Sequence, residues 1–187
     1  TERYPVEQLQ MQLFGNEPSE FVTEEFEEDG TISSLSRGKL YLTATAKVRY
    51  RGKTGFAARR LPLEQADVRR TRRLLQQSYY LAAIQVLDTV PPWGALSGVR
   101  PTKLSTKCML KGGSERAAKK LLEQTYFVTP ERSRLCVDAS RHTLEAVRLS
   151  EPTDLSVYIG IPFCPTRCSY CSFVSESIER FGAFLPP

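Results

Sequence analysis

Histidine and tryptophan are nearly missing from this chain, with one residue of each, and methionine occurs only twice. The lone histidine, His142, lies in a helix-like stretch. A structural zinc site made of two short-spaced Cys or His pairs does not fit that supply of ligands. Two methionines are too few to carry a function. There is no run of 18 or more apolar residues, so no transmembrane helix is expected. No charged-then-apolar leader is visible, so no secretory signal is expected either. Internal repeats and low-complexity tracts are also lacking. The first residue is Thr1 and not Met, which leaves a missing N-terminus open.

The chain has 187 residues, 41% of them hydrophobic. That is enough for one packed domain and part of another. The net charge of +5 is segregated. Residues 1–29 hold nine acids and one base, which leaves 25 bases and 12 acids for the rest. A basic body suits an anionic partner such as a polycarboxylate, a phosphate or a nucleic acid, or is an ordinary solvated surface.

The periodicity predicts an α+β domain over residues 1–150. Residues 4–14 read as a short helix with Val6, Leu9, Leu13 and Phe14 on one side. Over residues 40–50, Leu40, Leu42, Ala44, Ala46, Val48 and Tyr50 alternate with polar or exposed positions, the signature of a half-buried antiparallel strand. Residues 51–55 form a hairpin loop and 56–61 return. Weaker strands at 21–27 and 31–36 complete a four-stranded meander. A long helix is expected over 63–90, opened by Pro62, striped by Leu74, Leu75, Leu81, Ile84 and Leu87, and stopped by Pro91 and Pro92. Three further helices follow. Pro101 starts one that ends at Gly112 and Gly113. Ser114 caps one to about Phe127, and Thr129-Pro130 opens one to about Leu149. Residues 150–153 are a linker. An apolar strand over 155–161 then leads into a cysteine-bearing loop, and a helix begins near Ser175.

That loop reads Ile161-Pro-Phe-Cys-Pro-Thr-Arg-Cys-Ser-Tyr-Cys-Ser-Phe173. Cys164, Cys168 and Cys171 stand in the spacing C-x3-C-x2-C. Three soft thiolates so close together select an iron–sulfur cluster or zinc. A ferredoxin would show C-x2-C-x2-C and a fourth cysteine. The other two cysteines, Cys108 and Cys136, are distant and helical, and read as buried thiols. Zinc on the three cysteines and His142 is the remaining metal alternative. The loop is rich in Pro, Ser and Arg, so a chance cluster of core cysteines is the weaker account. Grouped free thiols argue for metal over disulfides and for a reducing, cytoplasmic setting.

The stretch from Tyr158-Ile-Gly-Ile-Pro-Phe to Cys171 resembles the cluster loop of radical S-adenosylmethionine (SAM) enzymes, within them the oxygen-independent coproporphyrinogen III oxidase group. Together with Trp93-Gly-Ala-Leu-Ser-Gly-Val-Arg-Pro-Thr-Lys103, it is similar to the HemZ-type coproporphyrinogen dehydrogenases. The resemblance spans the chain from about residue 5 onward. It implies that Cys164, Cys168 and Cys171 ligate three irons of a [4Fe–4S] cluster. The fourth iron would bind SAM, whose reductive cleavage gives a radical that abstracts hydrogen. Tyr170 would lie beside the adenine and Tyr158 near the cofactor. The implied reaction is oxidative decarboxylation of coproporphyrinogen III, with an electron-donor protein as partner. It also implies a fold, with 154–187 as the first strand, cluster loop and helix start of a truncated (β/α) barrel. A whole barrel needs on the order of 150 residues more, so the chain is expected to be a catalytically inactive fragment with no catalytic residue of its own.

Established oxidases of that group carry another cysteine two residues after the third ligand, where this chain has Phe173. The Tyr-Cys-Ser-Phe form is closer to relatives that include haem-handling chaperones, so haem transfer is an alternative. Arg100, Lys103, Lys107 and Lys111 fall on one helical stripe and are candidates to meet substrate carboxylates. Arg69, Arg70, Arg72 and Arg73 cover too much of their helix to define a site. They could bind RNA phosphates nonspecifically, and the basic charge balance makes an RNA-associated enzyme a third reading, but no RNA-binding motif accompanies them. Residues 1–150 should fold on their own. Residues 154–187 should be weakly supported, because a lone apolar strand has nowhere to bury.

Overall fold

The computed structural model describes residues 4–15, 29–97, 100–151, 153–166, 168, 171 and 173–181. It falls into two compact units, Thr1–Leu149 and Ser150–Pro187.

In the first unit, helix α1 (Tyr4–Phe14) precedes a three-stranded antiparallel sheet of β1 (Gly30–Arg37), β2 (Tyr41–Tyr50) and β3 (Lys53–Pro62) in that order. Its register runs from Gly30 opposite Arg49 to Arg37 opposite Leu42, and from Tyr41 opposite Pro62 to Tyr50 opposite Lys53. The alternation read in β2 holds, for Leu42, Ala44, Ala46 and Val48 are buried. The loop expected over 51–55 is tighter. Only Arg51 and Gly52 turn, both at positive φ (48° and 77°), which suits the right-handed twist of a two-residue hairpin. The strand expected over 21–27 lies outside the described residues.

The long helix expected over 63–90 is shorter and starts later. Pro62 does not open it; as the last residue of edge strand β3 it pairs with Tyr41, a place where a missing N–H costs no ladder bond. A single 3-10 turn (Leu63–Gln65) follows, and helix α2 runs Val68–Ala83. Its true start signal is Asp67, whose side chain accepts the Arg70 amide at 2.7 Å. The buried stripe also differs. Leu74 and Leu75 are buried, but Tyr79, Tyr80, Ala82 and Ala83 take the places expected of Leu81, Ile84 and Leu87, which are only half-buried. Alanines at 82 and 83 let α2 approach the sheet closely. A Cβ on Gly55 of β3 would stand 2.1 Å from the Ala82 carbonyl oxygen.

Helices α3 (Thr102–Leu110), α4 (Glu115–Lys120) and α5 (Pro130–Leu149) build a second layer, with a π-helical turn at Leu121–Thr125 after α4. Pro101, Ser114 and Pro130 start them as read from sequence, and the Ser114 hydroxyl accepts the Ala117 amide at 3.2 Å. The core here is Ala118, Leu122, Val128, Cys136 and Val137. Small hydroxyls join α3 to α5: Ser105 and Ser140 meet at 2.6 Å, and Thr106 donates to Ser140 at 2.9 Å. Each buried hydroxyl there has a partner, as desolvated polar groups require.

In the second unit, residues 155–161 form no strand. Leu155, Val157, Tyr158, Ile159 and Ile161 are all exposed. An extended apolar segment becomes a strand only by pairing, and the pairing described here is a two-residue parallel bridge of β4 (Phe163–Cys164) with β5 (Glu176–Ser177). The helix expected from Ser175 is the single turn α6 (Ile178–Phe181). The described residues of this unit therefore do not establish the start of a barrel.

Two outcomes follow from the packing. Gly55→Ala should lower stability by about 1–3 kcal/mol, the usual cost of overpacking, read as a lower midpoint in urea unfolding. By hydrogen exchange, the amides of Ala44 and Ala46 should be protected while those of 155–161 exchange at near-intrinsic rates. Equal protection in both segments would contradict the assignment.

Candidate functional site

Two groups of chemically distinctive side chains stand out, one in each unit. The first is the cysteine loop. Phe163 and Cys164 are held by the bridge to Glu176 and Ser177, and the Glu176 amide donates to the Pro162 carbonyl at 2.7 Å. The Cys171 amide donates to the Cys168 carbonyl at 3.0 Å, which closes the C-x2-C pair into a tight turn. Cys164 and Cys168 are exposed and Cys171 is half-buried, all as free thiols. Among the described residues, no three Cys, His, Asp or Glu side chains are gathered closely enough to hold a metal ion. The donor set nevertheless fits a thiolate-held cluster: soft ligands, solvent access, and a chain turn at the last two cysteines. Tyr158 is 84% exposed. Tyr170 lies outside the described residues.

The other cysteines behave differently. Cys136 on α5 is buried in the second core, and burial pushes its thiol pKa up. Cys108 on α3 is half-buried, with Gly113 folded against its sulfur. His142 is on an exposed face of α5, beside Arg141 (3.1 Å) and Glu145 (3.8 Å).

The second group lies in the first unit. A cleft of about 1060 Å³ opens between the start of α1, the first turns of α2, α3 and the π turn. Arg69, Arg72, Arg73 and Gln76 enter it from α2, spaced i, i+3, i+4 and i+7, so they share one helix face. Lys103, Lys107 and Lys111 enter from α3 at i, i+4 and i+8. Leu104, Cys108, Leu121 and Tyr126 supply an apolar floor. Arg73 lies over the Tyr126 ring, 5.1 Å from its centroid. Among the described residues no acid lines the cleft.

Sequence reasoning found the lysine stripe but set the arginines aside. Three of the four, Arg69, Arg72 and Arg73, face the lysines, while Arg70 turns back to Asp67 and the Gln65 carbonyl. Only the tertiary cleft that α2 and α3 both line could have shown this. Arg100 lines a smaller adjoining cavity of about 640 Å³ with Ser97, Pro101 and Lys103.

The segment 93–103 thus gains a structural role. Gly94 sits at φ 58°, and a Cβ there would stand 2.2 Å from the Tyr126 carbonyl oxygen. The Ala95 amide donates to that oxygen at 2.7 Å, and Ser97 accepts from Gln76 at 3.0 Å. The corner is latched to both the π turn and α2, which fixes the cleft mouth. Gly98 and Val99 lie outside the described residues.

The chain is 31% identical, over an alignment of 194 positions, to a protein of Bacillus subtilis (strain 168) named oxygen-independent coproporphyrinogen-III oxidase-like protein HemZ. The alignment takes in 96% of this chain and 36% of that protein, so the chain spans little more than a third of its relative's length. No family model matches the chain, and no solved structure matches it.

Maleimide labelling of the native chain followed by mass spectrometry should modify Cys164 and Cys168 first. Cys136 should react only when urea opens the core, since its thiol is both buried and held protonated. Equal rates at all the cysteines would refute the contrast drawn here.

Proposed function

We propose that the protein to which this chain belongs is a radical SAM enzyme of the oxygen-independent coproporphyrinogen III oxidase kind. The observation that carries the reading is the thiol triplet Cys164, Cys168 and Cys171 on a loop that leaves all three free. The similarity to a relative named for coproporphyrinogen oxidation supports the substrate class. In this reading Cys164, Cys168 and Cys171 hold three irons of a [4Fe–4S] cluster and leave one for SAM. Once bound, that pair supplies one-electron chemistry ending in hydrogen abstraction, work that belongs to the cofactor and not to side chains.

The tasks left to this chain are binding and orientation. Pro162 and Pro165 on either side of Cys164 limit the backbone at the first ligand. The amide-to-carbonyl bond between Cys171 and Cys168 fixes the spacing of the last two. Tyr158 and Tyr170 flank the cofactor in this proposal. Hydrogen loss and decarboxylation at two propionates would convert coproporphyrinogen III to protoporphyrinogen IX, with an electron donor serving the cluster.

The test has two stages. Anaerobic reconstitution of the chain with iron and sulfide should give about four irons per chain and the visible absorption of a cluster, both lost in Cys168→Ala. The complete protein, given SAM, reductant and coproporphyrinogen III, should then form the divinyl product by mass spectrometry. Iron binding unaffected by Cys168→Ala would sink the cluster assignment. A cluster that cleaves SAM but leaves the porphyrinogen intact would sink the oxidase assignment and point to haem handling or another substrate.

A further inference from the structure

We infer that the basic cleft of the first unit, lined by α2 and α3, is a binding site for a compact polycarboxylate with an apolar body. The argument starts from charge. Arg69 and Arg73 line one concavity with Lys103, Lys107 and Lys111, with no acid among its described lining. Gathering like charges on facing helices costs stability, and solvated surfaces ordinarily intersperse the two signs. The chain has acids to spend: Glu123 stands near Lys119, and Glu115 near Arg141. None of these lines the cleft. An anionic ligand would offset repulsion among these cations.

Shape and lining narrow the class. A volume of about 1060 Å³ is at the upper end for small-molecule sites and far more than one phosphate fills. Leu104, Leu121 and Tyr126 give the floor an apolar character that a hydrated polyphosphate would not use. The Tyr126 face is already covered by Arg73, so it is no stacking platform for a nucleic-acid base. Cations around an apolar floor match an amphipath whose carboxylates ring a hydrophobic centre. Arginine gives bidentate contacts to such groups and lysine adjustable ones. A tetrapyrrole tetracarboxylate has this form; that choice of ligand rests on the proposed function, whereas the anion specificity does not.

The experiment uses the full chain without iron, so its result is independent of cluster chemistry. Coproporphyrin III, a stable fluorescent tetracarboxylate, is titrated and followed by fluorescence anisotropy. Saturable binding is expected, weakening as salt rises. Lys107→Gln should weaken it about tenfold, the loss of one charge-assisted contact, without lowering the melting temperature, because a repulsive charge has been removed. Lys47→Gln, on an exposed position of β2, should leave binding unchanged. Equal binding of the uncharged tetramethyl ester would overturn the proposal, leaving only apolar association. Displacement by a short RNA at lower concentration than by free coproporphyrin would overturn it in favour of nucleic acid. Should Lys107→Gln prove unstable, Lys103→Gln reads the same contact; unchanged affinity in a folded variant of either kind would also overturn it.

Discussion

Helix α2 lies on the sheet at backbone contact distance, and the rest of the first unit depends on that seat. The contact exists because Gly55 has no side chain and because α2 presents Ala82 and Ala83 where larger residues would hold it off. Gln85, just past the helix, treats the edge of β3 as a strand partner. Its side-chain amide donates to the Phe56 carbonyl at 2.9 Å and its oxygen accepts the Phe56 amide at 3.2 Å. An exposed sheet edge is thereby partly satisfied by one side chain. On its opposite flank α2 reaches the helical layer, where Gln77 donates to the Thr125 carbonyl at 2.8 Å and Tyr80 stacks on Phe127 at 5.3 Å. One helix thus ties the sheet to the helical layer.

This seat decides where the arginines of α2 go. With one face committed to the sheet, the i, i+3, i+4, i+7 face bearing Arg69, Arg72, Arg73 and Gln76 opens into the cleft beside α3. The latch of Gly94 and Ala95 on the Tyr126 carbonyl, and of Gln76 on Ser97, keeps that side from closing. The cluster of positive charge is therefore a product of backbone packing, and its electrostatic cost is borne by a core that has Tyr79 and Tyr80 fully buried. Burial also pushes both phenols up, so neither titrates near neutral pH.

What could be read from the chain alone was what local rules govern. Period-two burial in β2 and the start signals at Pro101, Ser114 and Pro130 depend on neighbours a few residues away, and they held. Pro62 misled because a proline is equally at home at a helix start and on a strand edge, and only the pairing with Tyr41 decides between them. The apolar stretch 155–161 misled because hydrophobicity and β-propensity describe a strand only when a partner is present. The cleft was half legible: the lysines share one stripe on one helix, but their meeting with the arginines depends on two helices lining the same cleft.

The two chemistries proposed for this chain ask opposite things of their surroundings. Thiols that are to bind a soft metal must be reachable and held by a short turn; Cys168 and Cys171 have that turn, and Cys164 follows a residue pinned by a bridge. At Cys136 burial works against a thiolate ligand, because it pushes the thiol pKa up. Cations that are to recognise carboxylates instead need a rigid frame and a partly apolar wall, because charge-assisted bonds strengthen as water is excluded. The cleft has both, with its lysines on a helix fastened to α5 through Ser105, Thr106 and Ser140. A variant that loosens this hydroxyl seam, and not only one that removes a charge, would therefore disturb the proposed anion recognition while leaving the cysteine turn as it is.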